Sequence, residues 1–145
     1  MSPTDHEAPS TSILLIDGSK NHRVYWTDQL KNCAPHYQIV EAPDGETGLA
    51  LFRSQPIDCV VMDLNLPDQP GFELLADLVP TPSKPNVAVL VLTLLGHRTV
   101  WELAKHYGAY ACFHKQHTTG EDLERAIQRA MDFVRQMPMG GRELA

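Results

Sequence analysis

The sequence predicts an α/β protein with five parallel strands, each followed by a helix, and three observations predict it. Short aliphatic runs recur along the chain and alternate with longer segments whose apolar residues return every three or four positions. Gly and Pro separate the two kinds of segment. The aliphatic runs lack polar alternation, the pattern of strands covered on both faces, so helices lie on each side of a parallel sheet. Crossovers in such units are right-handed, and 2-1-3-4-5 is the common order for five strands in a doubly wound sheet.

Ser12 to Asp17, S-I-L-L-I-D, is the first strand, closed by a carboxylate; Gly18 turns the chain and Ser19 supplies an N-cap hydroxyl. The helix that follows runs to about Cys33 with Tyr25, Trp26, Leu30 and Cys33 as its apolar stripe, and Pro35 ends it. Tyr37 to Glu41 is the second strand. Asp44-Gly45 then opens a helix that lays Leu49, Leu51 and Phe52 on the sheet before Pro56. Ile57 to Asp63 is the third strand, again ending on a carboxylate, and Pro67, Pro70 and Gly71 break regular structure after it. A helix from Gly71 to Val79 turns Phe72, Leu75 and Leu78 to one side and stops at Pro80, before the stiff P-T-P-S-K-P loop. Asn86 to Leu92 is the fourth strand, with Thr93 at its carboxyl end. A helix from Arg98 to Tyr107 leads to Gly108, a capping residue in the left-handed conformation. Tyr110 to His114 is the fifth strand and Lys115 follows it. Thr118 and Glu121 have the spacing of a capping box, and Leu123, Ala126, Ile127, Ala130, Val134 and Met137 form the stripe of the last helix before Pro138.

A chain of 145 residues holds one domain, expected over 12–137, with flexible tails at 1–11 and 138–145, the second also readable as the start of a linker. The net charge of -6 argues against direct nucleic-acid binding. No apolar stretch approaches the roughly 20 residues of a membrane-spanning helix. The N-terminus lacks the basic start and apolar centre of a secretory signal. Cys33, Cys59 and Cys112 are odd in number and widely spaced, two of them in apolar runs, so they read as reduced core thiols of a cytoplasmic protein. His97, His106, His114 and His117 show no ligand spacing on one helix face and are given no metal role. Neither glycine-rich nucleotide fingerprint is present.

The carboxyl ends of parallel strands share one edge, where ligands collect. The first, third and fourth strands deliver Asp17, Asp63 and Thr93 to it, with Lys115 just past the fifth. Two neighbouring carboxylates disfavour each other's ionised forms, a cost that an ammonium or a divalent cation offsets. An ionised carboxylate beside a cation and a hydroxyl donor suits in-line phosphoryl transfer, with Asp63 as the nucleophile. Singly, such residues are more often turn, cap or solvated groups; their convergence on one edge makes the case.

Specific motifs sharpen this: I-L-L-I-D at Ile13 to Asp17, A-P-D-G-E-T-G-L at Ala42 to Leu49, D-L-N-L-P-D-Q-P-G-F-E-L-L at Asp63 to Leu75, V-L-T at Val91 to Thr93, Gly108-Ala109, and Lys115. With them the sequence resembles the receiver domains of two-component response regulators over about Ser12 to Met137. The resemblance implies a flavodoxin-like receiver fold with Asp63 as phosphoacceptor and Thr93 and Lys115 as phosphoryl contacts. It implies Mg²⁺ held by Asp17, Asp63 and the backbone carbonyl of Asn65. It implies a histidine kinase or phosphotransfer protein as donor, and output to a signalling domain or a second copy through the fourth helix, fifth strand and fifth helix. The only chemistry implied is the domain's own phosphorylation and dephosphorylation.

Three positions depart from the family pattern. Gly18 stands where a second acid usually ligates the metal, so Mg²⁺ binding is expected to be weak. Cys112 replaces the switch aromatic, and Gln116 replaces the proline after the lysine. The rival reading is a pseudo-receiver that binds partners without phosphorylation. An aspartyl phosphatase on a similar sheet is disfavoured because Asn65 occupies the position of its general acid. Leu95, two residues past Thr93, puts an apolar group in the path of an attacking water and predicts a long-lived phosphoryl group.

Overall fold

Buried strands whose side chains alternate between two faces need a helix layer on each, and ten elements supply both. The computed structural model describes residues 10–137. In chain order these are β1 (Thr11–Ile16), α1 (Lys20–Cys33), β2 (Tyr37–Ala42), α2 (Gly45–Ser54), β3 (Cys59–Met62), α3 (Gly71–Leu78), β4 (Ala88–Thr93), α4 (Arg98–His106), β5 (Ala111–His114) and α5 (Gly120–Gln136). The sheet runs β2-β1-β3-β4-β5, as predicted. Every pair is parallel, with Leu15 beside Val61, Val61 beside Leu90 and Val91 beside Cys112.

Alternate residues of the strands build two cores. Leu14, Ile16, Val60, Met62, Val89, Val91 and Cys112 face α2, α3 and α4 through Leu74, Leu75, Leu78 and Ala104. Ile13, Leu15, Cys59, Val61, Leu90 and Leu92 face α1 and α5 through Trp26, Leu30, Leu123, Ile127 and Ala130. Burial on both faces explains why these runs are uniformly aliphatic. Burial also pushes the Cys59 thiol well above its ordinary range, which keeps it inert as the sequence implies.

Several local expectations shift. Thr11 pairs with Tyr37 and so belongs to the strand, not to a tail; the remaining tail expectations, for 1–9 and 138–145, lie outside the described residues. In α1 the buried line is Trp26, Leu30 and then Ala34 beyond the helix, while Tyr25 and Cys33 are exposed. Tyr25 sits about 100° further round the helix and meets the Trp26 ring edge-on at 4.9 Å instead of entering the core. Cys33 is therefore not a core thiol. The capping box of α5 lies one residue later than its spacing suggests. Thr119 is the N-cap and Asp122 its reciprocal partner, because the Thr118 hydroxyl donates to the carbonyl of His114 (2.7 Å). Gly108 caps α4 as expected, at φ +110°, a conformation that favours glycine.

Candidate functional site

The strand ends converge as the topology requires, and the backbone fixes each functional side chain. Asp17 follows β1 directly and its N–H donates to the carbonyl of Ala42 (3.1 Å). Its Oδ1 accepts from Ser19 N–H (2.8 Å), and its carbonyl accepts from Arg23 Nη1 (2.7 Å). Asp63 follows β3 in the same way, with its N–H on the carbonyl of Ile16 (2.9 Å) and its Oδ1 accepting from Asn65 N–H (3.1 Å). Thr93 ends β4 fully buried, and its Oγ1 accepts from Leu95 N–H (3.3 Å). Lys115 follows β5, its N–H donating to the carbonyl of Thr93 (2.9 Å), which sets its side chain into the same space.

The ammonium of Lys115 joins the two carboxylates. Nζ lies 2.6 Å from Asp17 Oδ2 and 2.7 Å from Asp63 Oδ2, and all three side chains are nearly sealed from solvent. Asp17, Asp63, Asn65, Thr93 and Lys115 line one open cavity of about 360 Å³, with Gly18, His22 and Leu95 also on its walls. All five residues expected from the sequence are thus brought together. Asp17, Asp63 and Lys115 leave this cup one net negative charge, suited to taking a cation.

Three contributors were not foreseen. His22, in the first turn of α1, places Nδ1 2.8 Å from Lys115 Nζ. Asp68, in the loop between β3 and α3, accepts from the N–H groups of Gly45 and Glu46 (both 2.9 Å) and so ties that loop to the start of α2. Those two backbone bonds hold its carboxyl below the ordinary aspartate range. With its folded value depressed, Asp68 stabilises this tie at neutral pH and loses that contribution only as pH falls through the folded value. Trp101 on α4 donates from its indole N–H to the carbonyl of Leu95 (2.8 Å), and the Cys112 thiol donates to the carbonyl of Trp101 (3.7 Å). Burial pushes that thiol up to about 11.

The loop beneath Asp63 also depends on Gly71. Its N–H donates to the carbonyl of Leu64 (2.9 Å), Asn65 bridges Pro70, and a Cβ at Gly71 would stand 2.5 Å from Leu64 Cα. Backbone meets backbone here, so the turn closes only with glycine.

Asp17 and Asp63 bring two carboxylates to the cup, and carboxylate oxygens are the donors Mg²⁺ prefers. Gly18 adds no oxygen, and among the described residues no third acidic, histidine or cysteine side chain completes a metal-holding group. The set fits the ion with fewer protein ligands than the sequence pattern usually supplies.

A family model for the response regulator receiver domain matches residues 13–128. Among curated proteins the chain is similar to a probable chemotaxis protein CheY of Rhizobium etli, 29% identical over 121 residues that cover 83% of this chain and 92% of that protein. It is also similar to a protein-glutamate methylesterase/protein-glutamine glutaminase of Myxococcus xanthus, 32% identical over 126 residues, 86% of this chain and 35% of that protein. Among solved structures it matches a response regulator receiver domain protein from Clostridium thermocellum with a TM-score of 0.74 at 26% identity, over 86% of this chain and 97% of that one.

Proposed function

The chain belongs to the response regulator receiver domains, the phosphoacceptors of two-component signal transduction, and from that premise we propose that Asp63 is the residue that takes the phosphoryl group. The observation that carries the proposal is the sharing of one buried ammonium between Asp63 and Asp17 at the carboxyl edge of the sheet. A carboxylate so held is oriented and paired with a cation, the setting in which it attacks phosphorus. The donor is a phosphohistidine of a histidine kinase or phosphotransfer protein. The P–N bond breaks, an Asp63 oxygen bonds to phosphorus, and the imidazole of the donor leaves with a proton from solvent.

Within the cup, Lys115 and the Thr93 hydroxyl neutralise and hydrogen-bond the oxygens of the transferring group, whose charge is spread over three equatorial positions. Receiver domains bind Mg²⁺ at their acidic site, and here Asp17, Asp63 and the Asn65 carbonyl would hold it. Bound there, the ion supplies charge neutralisation for the phosphoryl oxygens. Asp17 is held in place by Ser19 at its Oδ1 and by Arg23 at its carbonyl.

The output is a binding event at the surface of α4, β5 and α5, where Leu103, Tyr107 and Phe133 are exposed. The methylesterase activity named for the Myxococcus protein forms no part of this proposal, since the chain spans about a third of that relative. No helix among the described residues is long and apolar enough to cross a membrane. A free cysteine at the surface, Cys33, fits a reducing cytoplasm.

Incubation with acetyl phosphate and Mg²⁺, followed by intact mass, tests the assignment. Wild type gains one phosphoryl group and Asp63→Asn gains none. A modified Asp63→Asn protein would refute it, and an unmodified wild type would leave the chain as an interaction module.

A further inference from the structure

We infer that His22 is a positioning residue for Lys115, holding its ammonium on the axis between the two carboxylates. The inference rests on the reading of Asp63 as phosphoacceptor and adds a residue to its machinery. A lysine ammonium carries three N–H donors and no acceptor. In the cup those donors meet three acceptors: Asp17 Oδ2 at 2.6 Å, Asp63 Oδ2 at 2.7 Å and His22 Nδ1 at 2.8 Å. The ammonium is therefore saturated without water, in keeping with a side chain only 5% exposed.

The third acceptor has to be a bare nitrogen. Because Nζ has nothing to accept with, the contact requires Nδ1 without its proton, so the ring is neutral and its proton sits on Nε2. The backbone of His22 is fixed independently, its N–H donating to the Ser19 hydroxyl that caps α1 (3.3 Å). Nδ1 lies 4.0 Å from Asp17 Oδ2, so the ring reaches the ammonium from beside Asp17 without bonding to that carboxylate.

This arrangement matters at the moment of transfer. When an oxygen of Asp63 becomes bonded to phosphorus it loses charge, and Lys115 has to turn one donor from that oxygen to a phosphoryl oxygen. A lysine held only by the two carboxylates would lose half of its anchorage at that step. His22 keeps a donor engaged throughout, and as a neutral acceptor it does so without adding a negative charge that would repel the incoming group.

The test compares His22→Leu, which removes the acceptor, with His22→Asn, whose Oδ1 can stand near the position of Nδ1. Both are measured at pH 8 in wild-type and Lys115→Met backgrounds. Phosphorylation by acetyl phosphate is expected to slow roughly tenfold in His22→Leu, the low end of the effect of one hydrogen bond from a charged donor, and to recover in His22→Asn. In the Lys115→Met background His22→Leu should add nothing. Imidazole ¹⁵N shifts of the unmodified protein give a readout independent of phosphorylation: Nδ1 should read as a bare acceptor, and Lys115→Met should move it toward a tautomer mixture. A wild-type rate in His22→Leu, no rescue by His22→Asn, or ¹⁵N shifts indifferent to Lys115→Met would overturn the inference. A wild type that takes up no phosphoryl group overturns the Asp63 reading instead, and the ¹⁵N shifts then decide alone whether His22 holds Lys115.

Discussion

On the β1 and β3 side of the cup, Asp17 and Asp63 are each held by a backbone N–H two residues on, by the sheet and by Lys115. On the β4 and β5 side, the chain past Thr93 is exposed at Leu94, Leu95 and Gly96, and it is tied down through Leu95, by its N–H to the Thr93 hydroxyl and by its carbonyl to the indole of Trp101. The first side is held in place by the protein's own groups. The second has few restraints to break, and segments of that kind are where proteins place their conformational responses. Of the three departures from the family pattern, Gly18 falls on the first side and Cys112 and Gln116 fall on the second. Gly18 thins the organised side, and Cys112 leaves the responsive side without its usual ring.

The largest effect that would sharpen this contrast is at Gly18. Gly18→Asp adds a carboxylate to an already organised wall, and Mg²⁺ affinity of the unphosphorylated protein should rise about tenfold from the added charge. The new Cβ lies 3.1 Å from Pro67 Cδ, so that ring has to yield slightly. A magnesium titration followed by amide shifts measures the change, and equal affinities would show that the organised side is complete without a second acid. The next effect is at Leu95. An acidic side chain there can orient a water toward phosphorus, so Leu95→Glu should shorten the lifetime of the phosphoryl group roughly fivefold. An unchanged decay of the phosphorylated mass would mean that Leu95 does not shield it.

The smallest effect is spectroscopic. Trp26 is 2% exposed in the core under α1 and α5, while Trp101 is bonded to the loop past Thr93. A small emission change on phosphorylation should persist in Trp26→Phe and vanish in Trp101→Phe. Loss of the signal in Trp26→Phe would break the comparison, because the response would then run through the organised side. Trp26, on the helix that follows Asp17, looks like the natural reporter from sequence order; it is buried in the core and does not line the cup.

That case shows where sequence reading succeeds here and where it stops. Asp17, Asp63, Thr93 and Lys115 were legible because a parallel sheet brings strand ends to one edge whatever the loops do. Gly108 was legible because only glycine takes its φ without strain. The capping box was displaced because spacing does not reveal that the Thr118 hydroxyl is already engaged by His114. Asp68 and His22 act across 22 and 93 residues of chain, on partners that no local pattern relates to them. Their one cue was position: each lies five residues beyond a strand-end aspartate.

The saturation of Lys115 has a consequence for surface chemistry. The chain has five lysines, and Lys20, Lys31, Lys84 and Lys105 are all exposed. An amine-acylating reagent will therefore mark those four and pass over the fifth, whose hydrogens face acceptors on every side. Late appearance of a label on Lys115 then records openings of the cup, so the native sequence carries its own footprinting probe at the centre of the site and four internal references outside it.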